Sequence, residues 1–190
     1  MQAMTFDVKV TLSEIEPPIW RRLRVSETLT LDRLHIVLQI AMGWTDSHLH
    51  QFLIDDRRYA LPSPEDGIDR PGDERKVRLS DVVKVDSCFT YEYDFGDGWQ
   101  HEVEVESVYD GTPAVPAECL DGRRACPPED CGGPWGYVEL LEILADPSHE
   151  EHGERREWVG DDFDPEAFDL PGVNDELRRF GSRLGPKRRR

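Results

Sequence analysis

Basic residues are scarce along most of this chain: 23 Lys and Arg face 40 Asp and Glu, and seven of those 23 fall in the last thirteen positions, RRFGSRLGPKRRR at 178–190. An acidic body repels phosphate backbones, because non-specific nucleic-acid affinity comes from cationic surface that releases counterions. Nucleic acid is therefore excluded as a partner of the body and left, weakly, to the basic tail. Long apolar runs are missing as well, since no segment approaches the roughly 18 apolar residues of a membrane span. The opening MQAMTFDVKV has neither the basic nor the apolar stretch of a secretory leader. No membrane partner and a cytoplasmic location are expected. Common catalytic signatures are also absent: there is no GxSxG elbow, P-loop, GxGxxG or HExxH.

Cysteine is sparse. In a cytoplasmic chain Cys88, Cys119, Cys126 and Cys131 are reduced thiols, not two disulfides. They are core fillers or metal ligands. The stretch CLDGRRACPPEDCGG separates Cys119, Cys126 and Cys131 by six and four residues, with no fourth cysteine nearby, whereas structural zinc sites pair cysteines more tightly. A zinc site would need His149 or His152 to fold back, so a rigid loop shaped by Pro127, Pro128, Gly132 and Gly133 around small buried thiols is preferred. Arg123 and Arg124 favour a thiolate there but Glu129 and Asp130 oppose it, and no nucleophile is assigned. Glu129 and Asp130, near the tip of this loop, are candidates for contact with a partner.

What is present is a clear succession of elements. Phe6, Val8, Val10 and Leu12 alternate with polar residues as a half-buried strand does. After the breaker Pro17-Pro18, IWRRLRV at 19–25 puts Ile19, Arg21, Leu23 and Val25 on one face, so Arg21 shares an apolar surface. LDRLHIVLQIAM at 31–42, with Thr30 before it and Gly43 after it, has helical spacing. HLHQFLI at 48–54 reads as a strand, the proline-dotted 55–76 as a long inserted loop, and LSDVV at 79–83 as a helical turn. Strands at 87–93 and 99–108 make a hairpin across DFGDG. The segment 111–134 reads as irregular, with helices near 136–146, 148–159 and 174–184. The acidic stretch 146–176 is read as a solvated face. This order predicts an α+β fold: a mixed, mainly antiparallel sheet with one long early helix packed on it and C-terminal helices. One domain is expected over 1–177, with 178–190 as the end of the last helix and a basic tail.

The hairpin carries the densest candidate chemistry, YEYDFGDGWQHEVEVE at 91–106. Its bland reading is a turn in which Gly96 and Gly98 supply positive φ while Asp94 and Asp97 cap backbone amides. In the functional reading Asp94, Asp97, Trp99 and His101 line a shallow pocket with the PPED loop. His48 and His50, two apart on a strand face, can both reach one ion and with His101 or a carboxylate would make an open three-ligand site. A metal is a candidate cofactor but not the favoured one. An arginine between Ile19 and Leu23 needs a partner, and Asp94 or Asp97 is predicted to clasp Arg21.

PPIWRR (17–22), LHIVLQIAMGW (34–44), HLHQF (48–52), YEYDFGDGWQH (91–101), PPEDCGGPWGY (127–137), Trp158 and FDPEAFD (163–169), taken in order, resemble the plasmid pRiA4b ORF-3-like family. The resemblance covers most of 4–177, with the basic tail and the 55–76 loop outside it. It implies an uncharacterised α+β domain of bacteria and archaea, often near mobile elements and sometimes labelled a transposon resolvase. That label fits this sequence poorly, because a serine recombinase needs a nucleophilic serine within an arginine cluster and a DNA-binding module. The first functional expectation is an accessory or binding domain, presenting the YDFGDGWQH and PPEDCGG motifs to a protein or small ligand. The alternative is a metal-dependent hydrolase using His48, His50 and His101 with Asp94, Asp97 or Glu129.

Overall fold

The alternating segments assemble into one eight-stranded sheet. The computed structural model describes residues 4–68, 70–111 and 113–184. Its strands are β1 (Met4–Leu12), β2 (Trp20–Ser26), β3 (His50–Ile54), β4 (Arg57–Ala60), β5 (Gly72–Asp73), β6 (Cys88–Tyr93), β7 (Trp99–Asp110) and β8 (Ala117–Arg123). Their spatial order is β5-β4-β3-β6-β7-β1-β2-β8, antiparallel throughout except where β4 meets β5. The helices are α1 (Leu31–Met42), α2 (Leu79–Val82), α3 (Gly133–Ala145), α4 (His152–Val159) and α5 (Leu170–Leu184). The fold is α+β.

The period-two pattern decides which face of the sheet is buried. In β7, Trp99, His101, Val103 and Val105 are fully buried while Gln100, Glu102 and Glu104 face solvent. In and beside β2, Ile19, Arg21, Leu23 and Val25 are all buried, as the alternation predicts. Helix α1 covers this face with Leu31, Leu34, Val37, Leu38, Ala41 and Met42. Each of these side chains larger than Ala41 contributes about 1.5–3 kcal/mol by leaving water. Gly43 ends the helix in the left-handed conformation (φ 97°), its N–H on the Gln39 carbonyl.

Two segments differ from the sequence expectation. The stretch 55–76, read as a loop, contains β4, β5 and a 3-10 turn at Glu74–Lys76. Its hairpin turn uses Asp55 and Asp56 at positive φ in place of the glycine that marks most such turns. The segment 111–134, read as irregular, contains β8, where Ala117 and Cys119 are buried on either side of exposed Glu118. This alternation is too short to stand out among prolines and glycines. Helices α3 and α5 begin earlier than predicted because Pro134 and Pro171 sit in their first turns, where no intrahelical N–H is needed. Helix α5 packs against β8 and α1. The Asn174 side-chain amide donates to the Cys119 carbonyl and accepts from the Cys119 N–H, both at 2.8 Å. Of the basic tail, α5 carries 178–184, and 185–190 lie outside the described residues. Among the described residues no helix is long and apolar enough to cross a membrane.

Candidate functional site

Three loops meet at one end of the sheet. Asp94, directly after β6, takes a left-handed conformation (φ 57°). Its N–H donates to the Leu49 carbonyl at 2.9 Å and its Oδ1 accepts from Gly96 N–H at 2.9 Å. Of the two glycines, Gly98 has positive φ (71°) and Gly96 does not. Asp97 reaches further: its Oδ2 accepts from Gly132 N–H at 3.1 Å and ties the hairpin turn to the PPEDCGG loop. The approach is close enough to require glycine, since a Cβ at Gly133 (φ 69°) would lie 2.4 Å from the Asp97 carbonyl oxygen. Glu129 closes the third contact. Its Oε1 accepts from Thr45 N–H at 2.7 Å, Thr45 Oγ1 at 2.9 Å and Tyr93 OH at 3.1 Å, while the Tyr93 hydroxyl accepts from Ser47 N–H at 3.0 Å.

His48 stands at the centre of this junction. Its Nδ1 is 3.7 Å from Asp94 Oδ2, and its Nε2 is 3.3 Å from Asp130 Oδ1 and 3.7 Å from Glu129 Oε2. Nε2 is closed to solvent and has no hydrogen-bond partner. One ligand atom each from His48, Asp94 and Asp130 lies within 4.8 Å of the others, a combination of donors suited to a cation. Around them Leu49, Phe95 and Trp135 are 71%, 49% and 86% exposed, unusual for side chains of that size.

The other predicted ligands are elsewhere. His48 lies before β3 rather than in it, so the i, i+2 alternation with His50 does not hold. The His50 Nε2 is 3.0 Å from Glu74 Oε2, and its ring stacks on His35. His101 is wholly buried, with Nδ1 on the Tyr91 carbonyl at 3.2 Å and Nε2 accepting from Trp44 Nε1–H at 3.5 Å. Burial pulls its pKa down to about 4. Neither His50 nor His101 joins the His48 group. Trp99 and His101 are core, not pocket walls. The thiols do not assemble either: among the described residues no group of cysteines lies within metal-binding reach. Burial pushes Cys119 up to about 11 and Cys131 up to about 12, and raises Cys126 well above its ordinary value. These are thiols rather than thiolates at neutral pH.

The expected clasp between Arg21 and the hairpin is also corrected. Arg21 is 2% exposed, and its guanidinium donates to the carbonyls of Ala41 (2.7 Å) and of Trp20, Arg123 and Arg124 (2.8 Å each), with its flat face 4.0 Å from the Phe168 ring. Burial lowers its pKa, while Asp94 and Asp97 are engaged in the turn. The buried charge does have partners, but backbone carbonyls supply them.

Thr45, Tyr93, His35 and Glu74 were not singled out from the sequence. A signal existed for one of them: positions 31, 34, 35, 38, 39 and 42 of α1 share a helical face, which marks His35 and Gln39 as polar groups turned to the core.

The model of one family, plasmid pRiA4b ORF-3-like protein, matches residues 4–171 and so includes every loop of the junction. The chain belongs to the plasmid pRiA4b ORF-3-like family. A relative within reach is uncharacterized protein y4hQ of Sinorhizobium fredii (strain NBRC 101917 / NGR234), 44% identical over 196 residues, covering 100% of this chain and 99% of that protein. A solved structure, the protein of unknown function MM3350 from Methanosarcina mazei Go1, is 37% identical with a TM-score of 0.81, over 90% of this chain and 98% of that one. Neither name carries an activity, so the function of this pRiA4b ORF-3-like chain rests on its own geometry.

Proposed function

We propose that this pRiA4b ORF-3-like chain is an accessory or binding domain, whose recognition surface is the junction of the YDFGDGWQH turn, the PPEDCGG loop and the loop before β3. One observation supports this reading above the others. The three loops are tied together by Asp97, Tyr93 and Glu129, yet they leave the Asp130 carboxylate and the apolar Leu49, Phe95 and Trp135 in solvent. Large exposed apolar side chains beside polar groups are typical of interaction sites. Carboxylates next to an open indole suit a ligand with a cationic group and an apolar face, whether protein or small molecule. Residues 1–177 acting as one unit, a cytoplasmic location and a link to mobile elements belong to the same reading.

The test is to map amide and indole chemical shifts while titrating aromatic amines and short basic peptides. Perturbations should gather at 44–49, 94–98 and 129–136, and disappear in Trp135→Ala with the melting temperature unchanged. Perturbations confined to the groove between Pro113–Pro116 and Gly181 would overturn the reading.

A metal-dependent hydrolase is the second reading, favoured by the donor group of His48, Asp94 and Asp130. His50 and His101 have no part in it. Turnover of nitrophenyl phosphate or acetate by Mn²⁺- or Zn²⁺-loaded protein, lost in Asp130→Asn, would favour the enzyme. Its absence under saturating metal would leave the binding domain.

A further inference from the structure

We infer that the loop junction is a divalent-cation site with His48, Asp94 and Asp130 as its protein ligands; the inference rests on reading that junction as the functional surface.

One observation beyond the clustering carries it. The Asp94 side chain is 9% exposed and held on its Oδ1 by Gly96 N–H, which fixes its Oδ2 3.7 Å from His48 Nδ1. His48 Nε2 is shut off from solvent without a hydrogen-bond partner, 3.3 Å from Asp130 Oδ1. An unsatisfied buried nitrogen beside a carboxylate points to something absent between them, because it costs free energy when left unpaired.

Charge and spacing agree. Among the described residues the ion pairs of Asp94, Glu129 and Asp130 are all with the one imidazole of His48, with no arginine or lysine among them. Three carboxylates around a single imidazole leave a negative excess even if that ring is protonated, and a divalent ion offsets it. Donors bound at about 2.0–2.2 Å to a common ion lie roughly 3–4 Å apart, and His48 Nε2 to Asp130 Oδ1 is 3.3 Å. One imidazole nitrogen with two carboxylates suits Mn²⁺, Fe²⁺ or Zn²⁺, whereas Ca²⁺ takes six to eight oxygens. Glu129 is a positioning residue here, its Oε1 held by Thr45 and Tyr93. Three protein ligands leave coordination positions open to water or to an oxygen of the bound partner.

The test uses the full chain without a metal-affinity tag, stripped with chelator and titrated calorimetrically with Zn²⁺ and Mn²⁺. One ion per chain is expected, with Mn²⁺ broadening centred on His48, Asp94 and Asp130. His48→Ala and Asp130→Asn should each weaken binding about tenfold or more. Both positions lie outside the hydrophobic core, so these variants should fold, and Glu102→Gln on the open face of β7 should bind as the parent does. No bound ion, unchanged affinity in both variants, or broadening centred on His149 and His152 would overturn the inference. Repeating the fragment titration with chelator present separates the two proposals. Fragments that still map to the junction while ions fail to bind would sink the cation site and keep the recognition surface. Ion binding without any fragment response would do the reverse.

Discussion

The imidazoles of His35 and His50 stack face to face, their centroids 3.4 Å apart and their planes within 2°. Each has a carboxylate at its Nε2: Asp46 at 2.8 Å for His35 and Glu74 at 3.0 Å for His50. The neutral tautomer of His35 completes a relay in which Gln39 donates to the Tyr91 hydroxyl, Tyr91 donates to His35 Nδ1, and His35 Nε2–H donates to Asp46. Burial, and then the neighbouring His50, hold the His35 pKa down to about 4, as burial alone does for His101.

Acid should therefore destabilise the fold in a defined window. A histidine whose folded pKa lies below its unfolded value of 6.5 contributes its full stability above pH 6.5, and loses it as pH falls towards about 4. For His101 alone the loss is about 3 kcal/mol. Urea unfolding between pH 7 and 4 should show this decline, with a shallower slope in His101→Phe. A flat profile in the parent protein would count against the buried neutral imidazole.

Arg21 offers a stability test that distinguishes carbonyl partners from carboxylate ones. Arg21→Lys cannot span four carbonyls with one ammonium, and the groups left unsatisfied should cost about 3 kcal/mol in chemical denaturation. Asp94→Asn should leave the Arg21 environment unchanged, because the two residues share no bond. A matching loss in both variants would restore the clasp.

The junction of turn and loop should be sensitive to a single methyl group. Gly133→Ala combines a left-handed backbone with a clash against the Asp97 carbonyl, a penalty of about 2 kcal/mol or more. Asp97→Ala removes only the bond to Gly132 N–H and should cost about 1 kcal/mol. Hydrogen exchange at the Gly132 amide should speed up in both variants, while amides of β1 and β7 keep their protection.

Fast thiol chemistry should be confined to one residue. Cys88 is exposed on the first position of β6, whereas Cys119 is buried and Cys126 and Cys131 are half-buried, and burial raises the pKa of all four thiols. By access alone an aromatic disulfide reagent at pH 8 should therefore label Cys88 first, Cys126 and Cys131 more slowly, and Cys119 only on unfolding. The quick phase should vanish in Cys88→Ser.

How far the sequence foretold this differs by element. Helix α1, β1, β2 and the β6–β7 hairpin were legible because each has a long, regular apolar period that local physics alone can read. Strands β4, β5 and β8 were not: they are short, and what makes them strands is a neighbour to pair with, which the linear order does not reveal. The site behaves alike. Asp94, Glu129 and Asp130 stood out as unusual residues in turns, and His48 as a ligand type on a predicted strand. Their grouping, without His50 and His101, depends on where three loops fold back. Arg21 was rightly read as buried and in need of partners, but carbonyls carry no sequence signature, so the nearest aspartates were the wrong inference.

The Asn174 amide on Cys119 has a consequence for how copies of this molecule meet. It occupies both hydrogen-bonding groups of a residue on an outer strand, β8, much as another strand would. The opposite border of the sheet ends in β5, two residues long and running parallel to its neighbour. Among the described residues neither border offers a long, straight row of free amides and carbonyls, the template that lets separate chains zip together into fibres. A protein this rich in β-structure can thus remain dispersed while the junction loops stay open at the end of the sheet, and Asn174→Leu should betray the arrangement first as slow aggregation at high concentration.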